Sequence, residues 1–146
     1  MIHFFFIQNK VGRVRLAKWY DAYSESEKVK LTSDIHRILV TRDSRHTNFL
    51  EFHNLKLVYR RYVGLYFICG VDETDNELAC LEAIHMFVEI LDSYFGSVCE
   101  LDLIYYFHKV YQVIDEVFLA GEVMEHRKQV VLGQLRAIDQ LASQSQ

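Results

Sequence analysis

The chain has 146 residues, of which 51% are hydrophobic and 14% aromatic, and it contains no proline. That length supports one domain with a substantial core, and a composition so apolar excludes a disordered chain. A net charge of −4 excludes general nucleic-acid binding by the whole surface.

The opening "IHFFFIQN" (2–9) carries apolar residues on both alternating faces, which predicts a central strand covered on both sides. It lacks the basic leader and small-residue cleavage site of a secretory signal, and no apolar run approaches the roughly 18 residues needed to span a bilayer. A turn at "KVG" leads to a second strand in "RVRLAKWY", where Val14 and Leu16 alternate with Arg13 and Arg15. Ser24 and Glu27 predict a capping box ahead of a helix over 28–40.

"TNFLEFH", "LKLVYRRY" and "LYFICGV" follow with connections too short for parallel crossovers, so they read as an antiparallel meander. Gly64 suits a tight turn with positive φ. Thr74 and Glu77 predict a second capping box, opening a helix that runs to Phe95. On that helix Leu81, Ile84, Val88, Leu91 and Phe95 form one apolar stripe, and Cys80, Ala83, Phe87, Ile90 and Tyr94 form another beside it. A third helix is expected over 101–119, closed by Gly121, and a last one over roughly 126–142 with Val131, Leu135, Ile138 and Leu141 at helical spacing. Helices this apolar bury more than one face, against neighbouring helices or against a partner subunit.

"FGSVCELDL" (95–103) places Cys99 beside Glu100 and Asp102. Carboxylates raise a thiol pKa and no histidine sits nearby to activate it, so the segment reads as a joint between helices with a buried thiol. Three cysteines without a CxxC pair point to a reducing compartment. The seven histidines form no HxxxH pair, and "DETDNE" lacks the central glycine and closing glutamate of a calcium loop. No phosphate loop, dinucleotide fingerprint or GxSxG is present, so no enzyme and no cofactor are expected. Basic residues gather at Lys10, Arg13, Arg15 and Lys18, at Arg42 and Arg45, and at Arg60 and Arg61. Such residues are ordinarily solvated charge, but Arg15 and the Arg60–Arg61 pair sit on or beside strand ends, where a sheet could join them into a patch suited to a carboxylate or a lipid phosphate.

"RLAKWY", "RHTNFLEF", "LVYRRYVGLYF", "NELACLEAIHMFVEILDSYFGSVCELDL" and "DEVFLAGE" together resemble the small, or sigma, chains of clathrin adaptor complexes, in the same order from Met1 to about Glu122. Within that family, "IQN" before a glycine turn and "RDSRHTNF" look most like the branch at the plasma membrane, with the trans-Golgi branch as runner-up. The resemblance implies a longin-like α/β fold over 1–146, a five-stranded antiparallel sheet with helices on both faces and a C-terminal helix or tail over 122–146. It implies a heterotetramer with an alpha-type large chain as main partner, a beta-type large chain and a medium (mu) chain, reaching the membrane through the assembled complex.

The resemblance also implies a share in binding acidic dileucine sorting signals. The family's pocket carries over onto Val63, Leu65, Val88, Ser97, Val98 and Leu103, with Arg15 near the acidic position. Val63 stands where a smaller residue is usual, and Ser97 where asparagine is usual. A free-standing longin-type regulator that binds a SNARE or a GTPase is the alternative from another class.

Overall fold

The computed structural model describes residues 1–42, 48–119, 122–123 and 135–139. Five strands, β1 (Ile2–Asn9), β2 (Val14–Trp19), β3 (Phe49–Phe52), β4 (Leu55–Tyr62) and β5 (Leu65–Asp72), form one sheet in the order β2-β1-β5-β4-β3. All neighbours are antiparallel. Two compact units divide the chain, Met1–Leu81 and Glu82–Gln146.

The first unit holds the sheet and α1 (Glu25–Thr41). Phe4, Phe6, Leu57, Tyr59, Tyr66 and Ile68 form one sheet face and pack with Ile35 and Leu39 of α1. Phe5, Ile7, Phe67, Cys69 and Val71, on the opposite parity, are buried as completely. That double burial is what the unbroken apolar run of β1 requires. α1 starts at Ser24, whose hydroxyl accepts the Glu27 N–H at 3.2 Å and donates to the Glu27 carboxylate at 3.0 Å.

The second capping position differs from expectation. Asn76, not Thr74, caps α2 (Glu77–Phe95), its Oδ1 accepting the Leu78 and Ala79 N–H groups at 3.0 and 3.2 Å. Asparagine next to the first helical residue reaches both orphan donors, which Thr74 is too far back to do. Every residue of the two α2 stripes is at least partly buried.

The expected third helix is two helices, α3 (Glu100–Tyr105) and α4 (Phe107–Val117). They break at Tyr106, which lies at φ −115° and ψ 34°. Leu103, Val110, Val113, Ile114 and Val117 are all buried. Their helical spacing runs straight through the break, so periodicity alone reads one helix. The helical run ends at Val117 rather than at 119, because Phe118–Leu119 (β6) pairs with Glu122–Val123 (β7). Gly121 and most of the expected last helix lie outside the described residues; residues 135–139 are helical.

Candidate functional site

Three of the seven predicted site residues lie in the first unit, at one end of the sheet. Leu65 opens β5 and pairs with Asn9 of β1 and Tyr62 of β4. Val63 and Gly64 are the two residues of the β4–β5 turn, with φ 47° and 76°. Both positive values belong to the tight hairpin turn that matches strand twist, a turn that favours Asn-Gly. A β-branched residue there is strained. Val63 is 56% exposed, so no packing demands it. Arg15 is the extra residue where β2 slips register, Leu16 pairing with Ile7 and Val14 with Gln8. The bulge takes its side chain out of strict alternation. Arg15 is half-buried and already has a partner within the chain.

The other four lie in the second unit, on α2 and in the joint that follows. Asp92 organises that joint. Its carbonyl accepts the Gly96 N–H at 2.8 Å and the Ser97 N–H at 3.1 Å, while its carboxylate accepts the Val98 N–H at 3.0 Å. Gly96 takes φ 75° as the helix ends, and Ser97 takes φ 121°. The segment thereby exposes Ser97 and turns Val98 inward. Val88, Val98 and Leu103 are buried, as is Leu65 in the first unit. Of the six residues expected to line a pocket, only Val63 and Ser97 stand on open surface.

Cys99 is not the buried thiol expected. It is exposed at the start of α3, where its N–H donates to the Asp102 carboxylate at 3.0 Å and its thiol donates to the same oxygen at 3.5 Å. The N-cap position itself holds it outward, and a thiol donating to a carboxylate is a poor nucleophile. Cys69 and Cys80 are buried, and burial pushes the Cys69 thiol well up, which keeps it protonated and inert. Among the described residues, no group of His, Cys, Asp and Glu side chains is arranged to hold a metal ion.

Sequence reasoning missed a charged cluster at the opposite end of the sheet. His3 bonds the Asp21 carboxylate through Nδ1 and the Asp72 carboxylate through Nε2, and the N-terminal amine meets Asp72 and Asp75. Partial burial lowers the His3 pKa, but the bonds to Asp72 and Asp21 outweigh it and leave the pKa raised. Those of His3 and of the terminal amine hold Asp72 below the usual carboxylate range.

Stability should follow with opposite signs. The His3 contribution is fully present below its ordinary value near 6.5 and is lost as pH climbs through the raised pKa. The Asp72 contribution is present above its ordinary value and is lost as pH falls through the depressed pKa. The loss of melting temperature in His3→Gln should therefore be larger at pH 6 than at pH 9. An equal loss at both would show that the imidazolium charge contributes nothing.

The family described as "Clathrin adaptor complex small chain" matches residues 1–142. The AP-2 complex subunit sigma of Dictyostelium discoideum is 58% identical over 141 residues, covering 97% of this chain and 99% of that protein. The AP-1 complex subunit sigma-1 of Arabidopsis thaliana is 48% identical over 141 residues, covering 97% of this chain and 88% of that protein. A chain of the full-length AP-3 complex, a homology model in a stretched open conformation, has TM-score 0.77 and 28% identity, covering 99% of this chain and 97% of its own.

Proposed function

The chain belongs to the clathrin adaptor complex small chain family, and from that premise we propose that it is the sigma subunit of an AP-2 adaptor in clathrin-mediated endocytosis. The carrying observation is its 58% identity, over nearly the whole of both chains, to an AP-2 sigma subunit, against 48% to an AP-1 sigma subunit. The sheet order and the similarity to a chain of the AP-3 complex support a longin-like fold, and the family match over 1–142 supports one functional domain spanning 1–146. The role requires no catalysis.

Association with other adaptor subunits comes with the family. In this reading the main partner is an alpha-type large chain, with a beta-type large chain and a medium (mu) chain completing the complex. Leu101, Ile104, Tyr105, Tyr106 and Phe107 support it: five consecutive or nearly consecutive apolar side chains are exposed on α3 and at the start of α4. Surface of that kind on a small chain marks an interface. The complex would work on the cytoplasmic face of the plasma membrane, in clathrin-coated pits.

The same reading gives the chain a share of the acidic dileucine site. Val63, Leu65, Val88, Ser97, Val98 and Leu103 would receive the paired leucines, and Arg15 would select the acidic residue. Burying one leucine side chain yields roughly 1.5–3 kcal/mol, and ordering the peptide offsets part of it. Weak binding suits a subunit whose contacts combine at a membrane by effective concentration.

The site is tested with Val63→Asp in the assembled complex. Aspartate tolerates the left-handed backbone of this turn better than valine does, so the fold should be at least as stable. A carboxylate at the slot repels the acidic peptide and removes apolar surface. Peptide affinity should fall about tenfold or more, the equivalent of about 1.4 kcal/mol. Unchanged affinity in the folded variant would remove Val63 from the site, and binding of the signal by a complex lacking this chain would remove the reading altogether.

A further inference from the structure

The charges of the first unit are sorted along the strands. No Asp or Glu occurs in residues 1–20 or 52–71, which supply β1, β2, β4 and β5 up to Val71. Among the described residues, the carboxylates in or flanking the sheet, Asp21, Glu51 and Asp72, fall at the end that holds His3. The other end carries the β1–β2 turn with Lys10 and Arg13, and the end of β4 with Arg60 and Arg61. The register sets these side by side, since Asn9 pairs with Leu65 and Leu65 with Tyr62. The Lys10 side chain passes so close to the β4–β5 turn that a Cβ on Gly64 would lie 3.1 Å from its Cε.

Lys10, Arg13, Arg60 and Arg61 have no carboxylate partner among the described residues. Arg60 and Arg61 lie over the rings of Tyr62 and Tyr66, contacts that stiffen the guanidinium groups without neutralising them. Two aliphatic side chains crown this basic end, Val11 at 74% exposure and Val63 at 56%, each at the tip of its turn.

The β1–β2 turn is held rigid from beneath. The Asn9 carboxamide oxygen accepts the Val11 and Arg13 N–H groups at 3.1 and 2.9 Å, and the His36 ring of α1 meets the Lys10 carbonyl at 2.9 Å. Val11 is therefore presented outward by built structure, with no packing role of its own.

We infer that this end of the sheet is a membrane-contact surface, with Lys10, Arg13, Arg60 and Arg61 meeting the phosphates of an anionic leaflet and Val11 and Val63 entering its headgroup layer. Basic side chains attract an anionic surface, and small apolar tips fix depth within it, the combination used by interfacial proteins. An acidic protein segment would match the cations but gives no use for two solvated valines. The inference does not depend on dileucine binding: Lys10, Val11 and Arg13 lie outside the proposed peptide residues.

The test is cosedimentation of the full-length chain with phosphatidylcholine vesicles and with mixed phosphatidylcholine–phosphatidylserine vesicles. Thermal melts confirm that each variant is folded. The parent should bind only the mixed vesicles, less as salt rises. Lys10→Glu combined with Arg13→Glu should lower partitioning about tenfold or more, and Val11→Asp several-fold, while Val11→Asp leaves dileucine peptide binding by the complex unchanged. Parent-like vesicle binding by either variant overturns the inference. So does a charge-reversed variant that loses only a polyglutamate peptide, an outcome that would assign the patch to acidic protein segments.

Discussion

Gly70→Ala is expected to lower the free energy of unfolding by about 1–3 kcal/mol. Gly70 stands opposite Phe4 of β1 and Leu57 of β4 in the interior of the sheet. A Cβ built there would come within 2.3 Å of the Phe4 ring. Phe4 has no exposed surface, and it packs against Phe6 at 5.6 Å between ring centroids and against Trp19 at 5.6 Å. The ring therefore cannot swing aside without disturbing the core between the sheet and α1. Glycine at this position is needed for volume rather than for backbone freedom. Chemical denaturation checks the loss, and Phe4→Leu in the same chain should recover part of it. A Gly70→Ala chain as stable as the parent would mean that the ring relocates freely.

Val88→Asp should cost still more, about 3–5 kcal/mol, because it leaves an unpaired carboxylate in the interior. Val88 is 1% exposed, on the α2 stripe that also buries Ile84 and Leu91. Domains of this size have about 5–15 kcal/mol in total, so the variant would be largely unfolded on warming. Val88→Ala should cost roughly 2 kcal/mol through lost packing alone. The denaturation midpoint measures both, and a Val88→Asp chain that melts with the parent would show that water already reaches the site. At 1% exposure Val88 offers no surface to a peptide in this structure. A binding defect in a Val88 variant therefore reports on folding first, which is why the exposed Val63 is the better probe of the proposed site.

Several elements were readable from residue patterns because they depend on local chemistry. The double apolar alternation of "IHFFFIQN" requires an interior strand, and β1 lies between β2 and β5. Gly64 marked a turn, and the turn has positive φ. Ser24 and Glu27 marked a helix start that the hydrogen bonds reproduce. Where two local signals competed, pattern was insufficient: Asn76 outcompetes Thr74 by adjacency, and neither proline nor glycine announces the break at Tyr106. The strain at Val63 was equally hidden, since valine disfavours the backbone it adopts there.

By itself, then, the order of apolar and turn-forming residues determined five strand segments and the antiparallel sense of the last three, while the longer motifs, read together, carried the resemblance to the family. Periodicity and steric preference act over a few residues and need no partner in space. Tertiary structure alone decided which side chains are covered and which charges meet. It turned Val98 inward and Cys99 outward at one corner, bracketed His3 between carboxylates distant in sequence, and gathered Lys10, Arg13, Arg60 and Arg61 at one sheet end. Strand register converts separations of about fifty residues into contact distances, and burial and electrostatics depend on those distances.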